Sequence, residues 1–392
     1  MTISKNVQQI ISNASWIRKM FEQGALLKAE HGAQNVFDFS LGNPNLPPPK
    51  EFEIILKDTV DNLKPGDHGY MPQSGYPDVC KAIAKYLSAE QQFPVSAGEI
   101  IMTCGAAGAL NIMLKTILDP GDEVLTPTPC FVEYRFYVDN HGGVLKTVPT
   151  KKDFTLDIDA IAAAITSRTK AVIINSPNNP TGQIYSRESL LLLGALLYKK
   201  GKEYNHIIYL ISDEPYRKIV FDGAIVPSIF QCYPNSLICT SYSKDLSIPG
   251  ERIGFGAVNP AAEYKDDLLE GMTLANRILG FVNAPALIQK VVARLQGKQV
   301  DVEKYRKKRD LLCKGLADCG YEFITPPGAF YLFPKTPVKD DVKFVKELQK
   351  ELILVVPGTG FACPGYFRIA FCVDDQTIIN ALPLFKKVMD KF

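Results

Sequence analysis

The spacing of apolar residues divides the chain into three stretches. From residue 100 to residue 258, short apolar runs alternate with segments of helical period. Strands are expected at 100–103, 123–126, 144–148, 171–175, 207–211, 237–240 and 253–258, and helices at 105–118, 131–140, 158–164 and 187–200. Apolar runs separated by helices build a mostly parallel sheet covered on both faces. Ahead of this stretch, residues 1 to about 36 read as one amphipathic helix carrying Ile17, Met20, Phe21, Ala25 and Leu26. A short strand at 37–41 follows, and later a helix with Val79, Ile83, Tyr86 and Leu87 on one face. In the last third the rhythm is lost. Helices at 302–319, 342–352 and 377–391, the last interrupted by Pro383, alternate with strands at 329–333 and 367–373.

The expected fold is therefore α/β. A large domain (46–285) holds a mostly parallel seven-stranded sheet covered by helices. A smaller α+β domain (286–392) is completed by the N-terminal segment (1–45), with the link near 275–293.

Two segments resist regular structure. Gly42-Asn43-Pro44-Asn45-Leu46-Pro47-Pro48-Pro49 is stiff and irregular. It is either a linker or a backbone that wraps a site, where Gly42 admits a ligand closely. Residues 65–77 form the other and carry Tyr70 and Tyr76, the latter read as a packing residue.

In sheets of this kind ligands bind beyond the carboxyl ends of the strands. That brings four turns to one region: 105–108, 176–182, 212–216 and 241–244. Gly105-Ala106-Ala107-Gly108 opens a helix whose first amides welcome an anion. It matches neither the phosphate loop ending in Gly-Lys-Ser/Thr nor the Gly-x-Gly-x-x-Gly dinucleotide fingerprint. Ser241-Tyr242-Ser243-Lys244 precedes Gly250-Glu251-Arg252-Ile253-Gly254. A lysine becomes a good nucleophile when partly desolvated or set near another cation, and Arg252 supplies fixed positive charge.

Composition narrows the setting. The 392 residues are 46% hydrophobic, enough to fill two domain cores. With 44 basic and 42 acidic residues the net charge is +2, which gives no reason to expect nucleic acid or an anionic membrane as partner. Nine cysteines without a Cys-x-x-Cys pair, and histidines only at 31, 68, 141 and 206, suit neither a disulfide framework nor a metal site. A reducing cytoplasm is the expected setting, with no metal. No apolar run approaches the ~18 residues of a membrane span and no signal-peptide core is present, so a soluble, unexported protein is expected.

Asn178-Asn179-Pro180-Thr181-Gly182 ends one expected strand and Ser212-Asp213-Glu214-Pro215-Tyr216 the next. Lys244 and Arg252 follow, and Arg368 lies inside the late apolar run Tyr366-Phe367-Arg368-Ile369-Ala370-Phe371. In this combination the chain resembles, over essentially its whole length, the fold type I pyridoxal-phosphate enzymes. Among them it is most similar to the class I/II aminotransferases of aspartate aminotransferase type.

The resemblance implies pyridoxal 5'-phosphate as cofactor. Lys244 would form the Schiff base with it and then move the proton at the substrate α-carbon. Asp213 would pair with the pyridine nitrogen, Asn179 and Tyr216 with the ring 3-oxygen, and Phe131 would stack on the ring. The phosphate would be held at Ala106 and Ala107, by Ser241, Ser243 and Arg252, and by Tyr70 from the neighbouring subunit of a homodimer with shared active sites. The family usually has a hydroxyl residue near Ala106 and Ala107; here there are only methyl groups, so one side-chain bond is missing or comes from elsewhere. Asp213 as a turn cap and Phe131 as a core residue are the plainer alternatives.

Arg368 matches the arginine that clamps the substrate α-carboxylate, and a guanidinium in an apolar strand needs an anion or dense hydrogen bonding. Gly42 and Asn43 match the segment that closes over the substrate. Cys363 either lines the pocket or packs. The implied reaction moves the amino group of an L-amino acid (aspartate, aromatic or aliphatic) to a 2-oxo acid such as 2-oxoglutarate or pyruvate. Arg277 lies where the family presents a cation for a distal carboxylate; an exposed Arg277 favours an aromatic or aliphatic donor instead. The alternative chemistry on the same cofactor is β-elimination from cystathionine-like C–S substrates.

Overall fold

A computed structural model describes residues 2–12 and 16–392. Two helices, α1 (Lys5–Ser12) and α2 (Trp16–His31), stand where one was expected. Residues 13–15 and the side chains of Ile17 and Phe21 lie outside the described residues. α2 packs through Met20 and Gly24, one turn apart, and a Cβ on Gly24 would press on the Leu354 and Asp38 side chains at 3.0 and 3.2 Å. That rotation turns Ala25 and Leu26 outward, contrary to the expected apolar face.

The strand β1 (Phe37–Asp38) is shorter than expected, and the proline-rich segment after it is irregular. α3 (Lys50–Asp61) has no counterpart in the sequence expectation; its one buried residue is Thr59, and its apolar residues Phe52, Ile55 and Leu56 are only half-buried, so its apolar period is weak. α4 (Pro77–Gln91) starts on a proline, where the missing N–H costs nothing, and buries Val79, Ile83 and Leu87.

The expected alternation then appears: β2 (Ile100–Thr103), α5 (Gly105–Ile117), β3 (Glu123–Thr128), α6 (Tyr134–Asp139), β4 (Val144–Pro149), α7 (Ile158–Ala164), β5 (Thr169–Asn175), α8 (Arg187–Tyr204), β6 (Tyr209–Asp213), β7 (Ser236–Ser241) and β8 (Gly254–Val258). These seven strands form one sheet in the order β2-β8-β7-β6-β5-β3-β4. β8 runs antiparallel to both its neighbours and the other pairs are parallel. Side chains alternate between two cores. Val172, Ile174, Leu210 and Ile238 meet α4 and α8 on one face, while Ala171, Ile173, Ile211, Leu237 and Cys239 meet α5 and α6 on the other.

α9 (Lys265–Ile278) packs beside α5, and α10 (Ala286–Arg294) sends Ile288, Val291 and Val292 into the core with α4. The stretch 275–293, expected as a link, is thus largely the end of α9 and most of α10. Beyond it lie α11 (Val302–Asp318), β9 (Tyr331–Leu332), α12 (Asp341–Lys350), β10 (Ile353–Leu354), β11 (Val356–Pro357), β12 (Phe367–Ala370) and α13 (Asp375–Met389). β11, β12 and β9 make a small antiparallel sheet, and β1 pairs in parallel with β10. Met20 and Phe39 share a core with Phe330, Phe344, Phe367 and Phe385. α13 runs through Pro383 instead of breaking there. The burial of Ile378, Ala381, Phe385 and Val388 outweighs the one hydrogen bond the proline removes.

Candidate active site

A cavity of about 240 Å³ opens at the carboxyl edge of the central sheet. All four expected turns line it, through Ala106 and Ala107 after β2, Asn179 after β5, Asp213 and Tyr216 at and after β6, and Ser241, Ser243 and Lys244 at and after β7. Gly42, Phe131, Arg252 and Arg368 complete the set that sequence placed here.

Lys244 donates from Nζ to the Gly42 carbonyl at 2.8 Å. The ammonium stands 5.7 Å from the Phe330 ring centroid and 6.0 Å from that of Tyr216. Burial pulls its pKa down to about 8; Arg368 and Arg252 push the same way and Cys372 opposes them. The amine is therefore closer to its nucleophilic, unprotonated form at neutral pH than a surface lysine is.

Asp213 ends β6 on the face turned toward α5 and α6. Its Oδ2 accepts from the Tyr134 hydroxyl at 2.6 Å, and Asn175 Nδ2 donates to its backbone carbonyl at 2.8 Å. The Cys239 thiol lies 3.7 Å from Oδ1 and 3.6 Å from the Ser212 carbonyl. Burial raises the carboxyl pKa to about 6, with Tyr134 and Cys239 pulling it down and Glu214 pushing it up. Asn175 also accepts from the Asn179 amide at 2.6 Å, so one side chain ties the β5 and β6 turns together.

Arg368 projects from β12 and is 2% exposed. Nη1 donates to Asn179 Oδ1 at 2.9 Å and Nη2 donates to the Ser40 carbonyl. The guanidinium lies 4.7 Å from the Tyr331 ring centroid and 4.8 Å from that of Phe361. Its Nε has no hydrogen-bond partner, and among the described residues no carboxylate pairs with it. Burial lowers its pKa, yet a guanidinium stays charged. A buried cation without a counter-ion costs several kcal/mol, so the site is built to receive an anion.

Tyr331 is the residue that sequence reasoning missed, since no motif surrounds it. Its hydroxyl is 2.8 Å from that of Tyr216 and its ring backs Arg368. A Cβ on Gly42 would collide with the same hydroxyl. The glycine is thus required by Tyr331 within the chain, where the sequence reading had a ligand making the close approach. Tyr216 and Asn179 have protein partners as well, Tyr331 and Arg368. Asn179 keeps its amide N–H group for another acceptor. Tyr134 and Asn175 were also missed, although a polar residue closing an apolar strand was a usable signal for Asn175.

At the start of α5, Arg252 Nη2 would lie 3.1 Å from a Cβ on Gly105, so the guanidinium rests against the helix end. Ser241 and Ser243 are buried at the cavity wall, and among the described residues neither hydroxyl has a hydrogen-bond partner. Helix-start amides, two free hydroxyls and a guanidinium are the donors a phosphate monoester needs.

The remaining sequence candidates lie elsewhere. Tyr70 is 96% exposed and lines a surface recess with Met71, Phe281 and Asn283. Arg277 is exposed in the last turn of α9, on the segment that Asn276 and Asn283 tie to the Met71–Gln73 backbone. Neither enters the cavity of its own chain. Cys363 does not line the cavity and packs against the C-terminal core. Tyr76 packs as expected, donating to the Asp67 carbonyl at 2.9 Å.

The residues present fit pyridoxal phosphate on three independent counts: a low-pKa lysine, a buried carboxylate, and an anion cradle at a helix start. No helix is long and apolar enough to cross a membrane, among the described residues.

The sequence matches the family described as aminotransferase class I and II over residues 34–383. It is 32% identical over 361 residues to a probable aspartate aminotransferase of Methanocaldococcus jannaschii, covering 90% of this chain and 93% of that one. An aspartate/prephenate aminotransferase of Thermus thermophilus is 33% identical over 336 residues, 84% of this chain and 85% of its own. Among solved structures, an amino transferase from Eubacterium rectale has a TM-score of 0.97 at 40% identity, covering 100% of this chain and 99% of that one. The Thermus thermophilus aspartate aminotransferase with maleate has a TM-score of 0.87 at 28% identity, covering 99% and 100%. With the match spanning the whole central sheet and every turn of the cavity, the chain belongs to the aminotransferase class I and II family, whose members are pyridoxal-phosphate-dependent transferases.

Proposed function

We propose that this enzyme binds pyridoxal 5'-phosphate in the cavity and moves the amino group of an L-amino acid to a 2-oxo acid such as 2-oxoglutarate or pyruvate. The observation that carries the reading is Arg368: a buried guanidinium with a free Nε and no internal carboxylate, in the same cavity as a lysine of lowered pKa.

Lys244 would hold the cofactor through its amine, Asp213 and Asn179 would meet the ring, Phe131 would cover it, and Arg252, Ser241, Ser243 and the Ala106 and Ala107 amides would hold the phosphate. When bound, the cofactor supplies an electron sink that makes the substrate α-hydrogen acidic. Arg368 takes the α-carboxylate through its free N–H groups, which orients the α-hydrogen toward Lys244. Lys244 Nζ takes that proton and returns it one position away, a task suited to a pKa near the working pH. Tyr331, packed against Gly42, would wall the substrate side of the cavity.

Donor choice rests on Arg277. Exposed on its own chain, it favours an aromatic or aliphatic donor; supplied to a second copy, it would meet the distal carboxylate of aspartate, the substrate in the names of several relatives. We place Tyr70 and Arg277 at the shared sites of a homodimer, supported by the exposure of each and by the ties of Asn276 and Asn283 to the backbone at Gln73 and Pro72. All nine cysteines are free, which suits a reducing cytoplasm.

The test is a single-turnover absorbance screen of the cofactor-loaded protein against the common amino acids. Conversion by at least one donor, reversed by a 2-oxo acid, is expected, and Lys244→Ala should abolish both the visible band and the conversion. No conversion by any donor contradicts the proposal; pyruvate and ammonia released without an acceptor point to C–S β-elimination instead.

A further inference from the structure

We infer that Tyr134 is a positioning residue of this active site: by donating its hydroxyl proton to Asp213 it keeps that carboxylate ionised and in one orientation. The inference rests on the functional reading above, because a ring-nitrogen partner serves only while it is charged.

The geometry follows from the sheet. Residues 211 and 213 of β6 share the face covered by α5 and α6, and Asp213 stands opposite Cys239 of β7 in the strand register. Strand register therefore fixes one neighbour, and α6 supplies the other. Tyr134 is 1% exposed and sits in the first turn of α6, its ring edge-on to Phe131 at 5.6 Å. Its hydroxyl donates to Oδ2 at 2.6 Å. The thiol of Cys239 has one proton for two acceptors, Asp213 Oδ1 and the Ser212 carbonyl, and is a weak donor besides. Tyr134 is thus the principal donor to the carboxylate.

The titratable groups that face Asp213 are Tyr134 and Tyr137 from α6, Cys239 from β7, Tyr216 from the following turn and Glu214 next in the chain. None is a cation. Burial and Glu214 favour the protonated acid, and the hydrogen bonds from Tyr134 and Cys239 are what resist it. The tyrosine and thiol pKa values are themselves raised well above their ordinary ranges, so both remain donors across the working pH.

A carboxyl whose folded pKa lies above its ordinary value binds a proton more readily folded than unfolded. Stability therefore falls as pH rises from the ordinary range through the folded pKa, about 6 here. Loss of the Tyr134 hydroxyl moves that upper limit higher.

The experiment compares the protein with Tyr134→Phe, without cofactor, by denaturant unfolding between about pH 5 and about pH 8. The stability deficit of the variant should grow with pH, its midpoint displaced upward by about one pH unit, the low end for a hydrogen bond to a charged group. Cys239→Ala should give a smaller displacement. In an Asp213→Asn background, Tyr134→Phe should show no pH-dependent deficit. After loading with pyridoxal phosphate, the variant's visible spectrum should titrate at shifted pH while Cys239→Ala stays near the parent. A deficit equal at all pH values, or one that survives in Asp213→Asn, overturns the inference. Failure of the unsubstituted protein to take up the cofactor would instead defeat the functional proposal and leave the pH result standing.

Discussion

Lys244 and Arg368 are cations in one buried cavity, and they respond to burial in different ways. A guanidinium cannot shed its proton, so Arg368 meets burial with aromatic faces, Asn179 and the Ser40 carbonyl, and its Nε makes no hydrogen bond. A lysine can shed its proton, and the pKa of Lys244 falls to about 8 from 10.5. Its cost to the fold is present while both folded and unfolded states are protonated, and it fades as pH rises from about 8 toward the unfolded value. Cofactor-free Lys244→Met should therefore be more stable than the parent near neutral pH, on the order of 1–2 kcal/mol after allowing for solvent entering the cavity. That advantage should shrink in unfolding experiments above about pH 8; one that stayed constant with pH would contradict the lowered pKa. Both cations were legible in the sequence, Arg368 because its type is improbable in an apolar run and Lys244 because it stands between hydroxyl residues ahead of Arg252. Tyr331 was not, since a tyrosine in a strand is ordinary until Gly42 and Arg368 are seen against it.

The anion cradle is a property of elements and not of any one side chain. A Cβ on Gly254 would run into the Thr240 carbonyl and the Gly105 backbone, so glycine there lets β8 lie close to β7 and to the start of α5. Arg252, at φ 52°, then turns its guanidinium onto Gly105. The spacing Gly-x-Arg-x-Gly announced the motif, while the contact across it came from strand pairing. Arg252→Ala should weaken binding of pyridoxal phosphate by about tenfold, the lower range for a charge-assisted bond that is partly open to solvent. Equilibrium dialysis checks this, and an unchanged affinity would remove Arg252 from the cradle. Other elements show where local pattern misleads. α2 turns Leu26 outward because Gly24 is the residue that fits against Leu354, and α13 passes Pro383 because four buried residues hold both of its halves.

At the scale of the whole molecule, Tyr70 and Arg277 are both exposed and neither lines the cavity of its own chain. The proposed homodimer should have twice the 43.4 kDa mass of the chain in solution. Tyr70→Phe chains and Lys244→Ala chains, each impaired, should recover activity when assembled together, because one of the two shared sites then carries neither lesion. Impaired activity without recovery would separate Tyr70 from the site of the second copy.

The order of strands and helices between residues 100 and 258, and the grouping of four turns at one edge, followed from apolar period alone. Both faces of the sheet are buried, and that leaves a record in every strand but the edge strand β4. The motif residues Lys244, Asp213, Asn179, Arg252 and Arg368 were equally visible, since their chemistry is out of place unless a site employs it. What each of them touches was decided in three dimensions. Tyr134 meets Asp213 from 79 residues away, and Arg368 meets Asn179 from 189. Such pairings depend on strand register, on the rotation of each helix about its axis and on which side chain fills the space left by a glycine. Those quantities are settled by packing between distant segments, and local spacing carries no record of them.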